Sequence, residues 1–292
     1  MNNIITIKEE SISADEHIDF LKCTEPGSQY SKEIYQILKN QLAIEFNCKA
    51  EDFDKEENII TLPSLHPNRR KFSDKEFFLQ MATLGGNTVI SANEKLHPWL
   101  KEWVKDKRGF WLFEQHNFFE LETELRKYGY KMSQTHHMFL PKPVLVEIKT
   151  DLKIKWLEQA DIKNFYGDPR FPNAICDKFK PERPDILAIV ALDENTKDEK
   201  GDAKIMGMAG CSIDAAANED TGAPALWQIG IDVMPEYRGH KIGTTLVTLL
   251  RNETFRRGAL TYYGTSLSNL ASWKIALASG FEPAWVECEA RE

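Results

Sequence analysis

The run Ile231-Asp-Val-Met-Pro-Glu-Tyr-Arg-Gly-His-Lys-Ile-Gly-Thr-Thr-Leu246 constrains this chain more than any other segment. Apolar alternation up to Val233 reads as a strand, and Pro235 ends it because proline has no N–H to give a ladder. Residues 242–257 then read as an amphipathic helix, closed by Gly258 at the position where a left-handed glycine ends helices. A strand, a basic glycine-containing turn and a helix N-terminus in direct succession form an anion site, because turn and helix both aim unpaired N–H groups at one point. Gly239 and Gly243 permit unusual φ and close approach of a phosphate. Arg238 adds a charge that helix packing does not require, and Thr244 and Thr245 offer hydroxyls in the first helical turn. The pattern predicts a phosphorylated cofactor.

The surrounding periodicities give two series of elements. In the first, Tyr35, Ile37, Leu38, Leu42 and Phe46 mark one face of a helix, and residues 59–62 a short strand. A strand at 87–91, a helix at 96–105, a buried strand at 110–114, a helix at 118–128 closed by Gly129, and a strand at 132–140 follow. Pro141 and Pro143 then favour an extended connection. In the second series, a strand at 152–157 leads to a helix at 159–166 and a short helical piece at 172–179. Strands at 186–192 and 204–213 flank the charged hairpin loop 193–202, with a further strand at 227–233. After the long helix come a strand at 261–265, a helix at 270–279 and a strand at 283–289. The reading is therefore a mixed α/β chain: an N-terminal α/β domain over 1–140, a linker over 141–150 and a second domain over 151–292. A length of 292 residues suits two domains.

Composition narrows the function. A net charge of −8 argues against nucleic acid, whose phosphates demand a basic footprint. An acidic surface suits a small cationic partner and equally serves solubility alone. The five cysteines, Cys23, Cys48, Cys176, Cys211 and Cys288, show no CxxC spacing and read as free thiols of a reducing cytoplasm. The N-terminal residues lack a basic stretch followed by an apolar run, and no segment of about 18 apolar residues occurs. The expectation is a cytoplasmic protein, monomer or homodimer, without membrane contact.

Residues 263–281, Tyr-Gly-Thr-Ser-Leu-Ser-Asn-Leu-Ala-Ser-Trp-Lys-Ile-Ala-Leu-Ala-Ser-Gly-Phe, add a second motif: a strand, an Asn at a helix start, a small residue three later, and Gly-Phe at the helix end. Together with residues 238–243, in this order and one helix and one strand apart, they resemble the GNAT (N-acetyltransferase) superfamily. The likeness covers about 140 residues and extends to bacterial members with an extra N-terminal domain. Residues 111–130 can also be laid on residues 262–281 as strand, turn, helix and Gly-aromatic, so that the N-terminal half reads as a degenerate GNAT-like repeat.

The resemblance implies acetyl transfer from acetyl-CoA to a primary amine of a small molecule, by direct attack on the thioester and without a metal. It places the backbone of Ile231 and Val233 against the pantetheine arm, and Arg238, Gly239, His240, Lys241, Ile242, Gly243 and Thr244 around the pyrophosphate. Asn269 would reach the pantetheine amide region. Lys241 departs from the family pattern, standing where a glycine is usual. Ala276 stands where many relatives carry the tyrosine that protonates the leaving thiolate. Asp232, Tyr263 and Ser272 are the catalytic candidates that remain, with Tyr262, Ser266, Gln228 and Asp214 in the same neighbourhood. Asp232 alternates to the face opposite Ile231 and Val233, which also fits a structural anchor. The missing tyrosine keeps a CoA-binding module open as a rival, and an aminoacyl transferase of the tandem type is a third reading. In the N-terminal half, Asn87, Glu114, His116, His136 and His137 are the polar candidates. The adjacent histidines point to opposite faces of a strand and cannot chelate one metal together.

Overall fold

The computed structural model describes residues 29–198, 201–217 and 225–292. Along the chain these form α1 (Gln29–Phe46), β1 (Ile59–Thr61), β2 (Leu79–Thr83), β3 (Thr88–Ala92), α2 (His97–Val104), α3 (Gln115–Leu125), β4 (Lys131–Met132) and β5 (His136–Pro141). Then follow β6 (Lys153–Glu158), α4 (Gln159–Ile162), β7 (Asp185–Lys197), β8 (Ala203–Ala215), β9 (Leu226–Val233), α5 (Ile242–Arg256), β10 (Leu260–Ser266), α6 (Leu270–Ala278) and β11 (Phe281–Arg291). The chain packs as two compact units that do not follow it linearly. One contains Lys32–Phe139, Gly264–Leu270 and Pro283–Glu292; the other contains Leu140–Tyr263 and Ala271–Glu282.

In the first unit β2 and β3 pair antiparallel (Met81↔Ile90), β1 lies parallel to β3 (Ile60↔Ile90), and β11 pairs antiparallel with β2 (Cys288↔Met81). The C-terminal strand thus sits inside this sheet, with β5 on its other side. Leu79, Met81, Ile90, Leu96, Leu100, Leu121 and Leu125 form the core between sheet and helices. The helical stripe of α1 is buried at Leu38, Leu42 and Phe46, as its spacing predicts.

Four sequence expectations need correction. Residues 110–114 are not a strand: Gly109–Phe113 is a 3-10 helix. A Cβ on Gly109 would lie 2.2 Å from the Asn87 carbonyl carbon, so the chain is pressed flat there, and Trp111 and Glu114 N–H groups turn back to Arg108 and Trp111 carbonyls. The strand at 132–140 is split into β4 and β5. The charged segment 193–197 continues β7 rather than looping. Residues 172–179 form turns, not a helix, for a reason that lies in the site described below. The parallel between the helix ends does hold: Gly129 after α3 and Gly280 after α6 both adopt left-handed φ, at +86° and +81°, each followed by an aromatic residue.

In the second unit β6, β7, β8 and β9 form an antiparallel meander, and β10 runs parallel to β9 after the α5 crossover. Arg251 of α5 is fully buried. Its guanidinium donates to the Lys142 and Val144 carbonyls and to Asn252 Oδ1, and lies 4.9 Å from the Phe255 ring centre. Asn252 in turn accepts from the Val146 N–H and donates to the Val146 carbonyl. Burial lowers the Arg251 pKa to about 10, still far above neutrality, so the cation persists and carbonyl dipoles meet its charge. The segment after Pro141 is thereby fastened to α5. Arg251→Ala removes the donor shared by the Lys142 and Val144 carbonyls and opens a void in the core, and is expected to lower the unfolding free energy by about 3 kcal/mol in a urea titration.

Candidate functional site

The edge of β9 is the first component. The Met234 N–H donates to the Met206 carbonyl at 2.9 Å, so the polar backbone of Met234 faces β8. These groups alternate along a strand, so those of Ile231 and Val233 face the other way. On that side the register with β10 ends at Tyr263↔Ile229, and β9 runs on past it. Arg238 Nε donates to the Val233 carbonyl at 3.1 Å and marks the end of this edge.

The turn after β9 is the second component. Pro235–Tyr237 is one turn of 3-10 helix, Gly239 has φ +83°, and Lys241, the residue before α5, has φ +60°. Thr245 N–H closes the first helical turn on the Lys241 carbonyl at 2.9 Å. The N–H groups of Ile242, Gly243 and Thr244 therefore have no acceptor within the helix. Residues 238–241 are exposed, so the concavity that these donors face is accessible to an anion. Lys241 takes up the left-handed conformation that glycine adopts without cost. Lys241→Gly is expected to raise stability by about 0.5–1 kcal/mol in thermal unfolding. Gly243 admits α6: a Cβ there would lie 2.9 Å from Ile275 Cδ1 and 3.4 Å from Val233 Cγ2.

On the opposite face of β9 lies a loop that sequence reasoning misassigned. Asp232 accepts from Asn173 N–H at 2.8 Å, Asn173 Nδ2 at 2.7 Å and Ala174 N–H at 2.9 Å. The Cys176 N–H donates to Asp185 at 3.1 Å. Carboxylates from distant strands thus take the N–H groups that a helix over 172–179 would have used. The loop lies flat because Gly210 and Gly230 are cross-strand partners: Cβ atoms there would lie 2.2 Å from the Ala174 oxygen and 1.7 Å from the Asn173 oxygen. Asp232, a candidate base, is therefore engaged in holding this loop. The small residues at 210 and 230 were the only signal for it in the sequence.

Next to that loop, Asp185, Ser212, Gln228 and Tyr262 occupy one cross-strand row. Ser212 donates to Asp185 at 2.9 Å, Tyr262 donates to Asp214, and Arg183 bridges Asp214 and Gln228. Tyr262 and Asp214 are thus tied into a buried network.

Tyr263 points the other way and meets α6: its hydroxyl lies 2.6 Å from Ser272 Oγ. The structure thus brings together two of the three catalytic candidates, nine residues apart in sequence. Tyr263 is 2% exposed, and burial first, then the Asp232 charge, raises its pKa, with the Ser272 bond acting in the opposite direction. The phenol stays protonated at neutral pH. Ala276 is fully buried. Asn269 precedes α6, with its N–H 3.2 Å from the Ser266 carbonyl, in the Gly264–Leu270 segment that belongs to the first unit. Of the N-terminal candidates, Asn87 is structural, donating to the Asp52 and Glu57 carbonyls. No group of three or more metal-ligating side chains occurs among the described residues, and none of the described helices is long and apolar enough to cross a membrane.

Residues 153–281 match the model of the acetyltransferase (GNAT) family. No curated protein matches the sequence. Among solved structures, the chain is similar to an acetyltransferase of the GNAT family from Colwellia psychrerythraea (15% identity, TM-score 0.38, covering 55% of this chain and 57% of that one). It is also similar to a GCN5-related N-acetyltransferase-like protein from Streptococcus suis (15%, 0.40, 61% and 69%). A third is a tandem GNAT protein from the clavulanic acid biosynthesis pathway (15%, 0.38, 58% and 57%). The chain thus spans well under two thirds of the Colwellia and tandem proteins.

Proposed function

We propose that residues 153–281, which match the acetyltransferase (GNAT) family model, move an acetyl group from acetyl-CoA to a primary amine of a small molecule. The observation that carries this reading is the continuity of the β9 edge with the turn at 238–244. An extended pantetheine arm finds main-chain partners at Ile231 and Val233, as an added strand does. The pyrophosphate then falls at the N–H groups of Ile242, Gly243 and Thr244, with Arg238, Gly239, His240 and Lys241 around it. Acetyl-CoA supplies an acyl group already activated as a thioester. Tyr263, protonated and bonded to Ser272, serves as the proton donor in place of the tyrosine missing at Ala276. Asp232 acts through the Asn173–Ala174 loop as a positioning residue, and the family resemblance assigns Asn269 to the pantetheine amide.

One observation favours the rival reading of a CoA-binding module: the position of the usual acid is a buried alanine. A thiol-release assay with acetyl-CoA and a panel of primary amines separates the two. Amine-dependent release of CoA supports transfer. Tight CoA binding with no release on any amine supports the module.

A further inference from the structure

The first unit holds a cavity of about 800 Å³ that the acetyl-transfer reading does not use. That volume suits a whole small molecule. Its walls combine Phe110, Phe113, Phe118 and Trp285 with Glu114 and His137. The aromatic residues reach it because residues 109–113 form a 3-10 turn instead of a strand. Leu112 enters the core, exposed Phe110 turns to the cavity, and half-buried Phe113 packs on the core while also lining the cavity. Phe113 and Phe118 meet edge to face, with ring centres 5.8 Å apart. Trp285 is fixed from behind: its indole N–H donates to Glu287 at 2.7 Å. Glu287 is paired with buried Arg70, which is held by Glu45 on its other side. The wall is therefore preorganised rather than loose.

The charge in this cavity has one sign. Glu114 is exposed and makes no side-chain cap to α3, so its carboxylate is available. Burial and the neighbouring His136 lower the His137 pKa, so its imidazole is neutral at pH 7 and does not oppose a cation. Aromatic faces attract cations and take up flat apolar groups.

We propose that this cavity binds a compact ligand with an aromatic-sized apolar body and one cationic amine, the body against Phe110, Phe113, Phe118 and Trp285 and the ammonium at Glu114. This binding stands independently of the acetyl-transfer reading.

Calorimetry on the full chain, with 2-phenylethylamine, 2-phenylethanol and ethanolamine as probes, tests the proposal. The arylalkylamine binds about tenfold more tightly than either the alcohol or the small polar amine. Glu114→Gln weakens the arylalkylamine about fivefold and leaves the alcohol unchanged. Phe118→Ala weakens both aromatic probes on the order of tenfold, while the exposed, conservative Glu114→Gln variant guards against a folding artefact. Equal binding of amine and alcohol, or binding indifferent to both variants, overturns the proposal.

Discussion

Tyr263→Phe is expected to bind acetyl-CoA as the unaltered protein does and to lose on the order of 10²-fold in kcat. The substitution removes one oxygen. The ring keeps its packing against Phe281, whose centroid lies 5.9 Å away, so the cost in stability is about 1 kcal/mol, that of one hydrogen bond. The hydroxyl bonded to Ser272 at 2.6 Å is lost, and with it the proton donor. Because burial raises the Tyr263 pKa above its usual value near 10, the group remains protonated through the neutral range. A general acid loses function as pH rises through its pKa. Activity limited by Tyr263 therefore holds through the neutral range and falls only on the far alkaline side, and the phenylalanine variant lacks that alkaline limb. Steady-state thiol release across pH checks both statements. A kcat within about twofold of the parent removes Tyr263 from proton transfer.

Gly230→Ala is expected to reduce kcat/KM on the order of 10²-fold and stability by about 3 kcal/mol. A methyl group there would meet the Asn173 oxygen at 1.7 Å and its carbonyl carbon at 2.6 Å. These are backbone atoms, so the loop must lift as a whole. Lifting it breaks the three hydrogen bonds to Asp232 and exposes that carboxylate's partners. The damage spreads to β9, whose next residues carry the edge proposed for the pantetheine arm. Kinetics combined with urea unfolding measures both effects. A folded variant with parental kcat/KM would show that the loop does not shape the site.

The sequence carried some of this plainly. The β9–turn–α5 unit was legible because Pro235, Gly239 and Gly258 punctuate it and because α5 has clear periodicity. The pairing of Tyr263 with Ser272 was within reach, since a strand end and the first turn of the next helix are joined by a short connection. The loop at 173–174 was not legible, because its conformation is set by Asp232, 59 residues away, and by two glycines that leave room for it. Residues 110–114 resembled a buried strand by composition, yet Gly109 is pressed against the Asn87 backbone and the chain coils instead. β2 went unread because Leu-Gln-Met-Ala-Thr contains mostly helix-favouring residues that only sheet pairing turns into a strand. The left-handed backbone at Lys241 was also invisible, since a lysine gives no sign of positive φ.

The central claim is that the turn at 238–244 holds the pyrophosphate of CoA. Backbone amide spectra of the isotope-labelled protein, recorded as CoA is added, test it most directly. The account predicts large saturable shifts at the N–H groups of Gly239, Ile242, Gly243 and Thr244, with those of Ile231 and Val233 following. Saturable CoA binding that leaves these amides unmoved would contradict it.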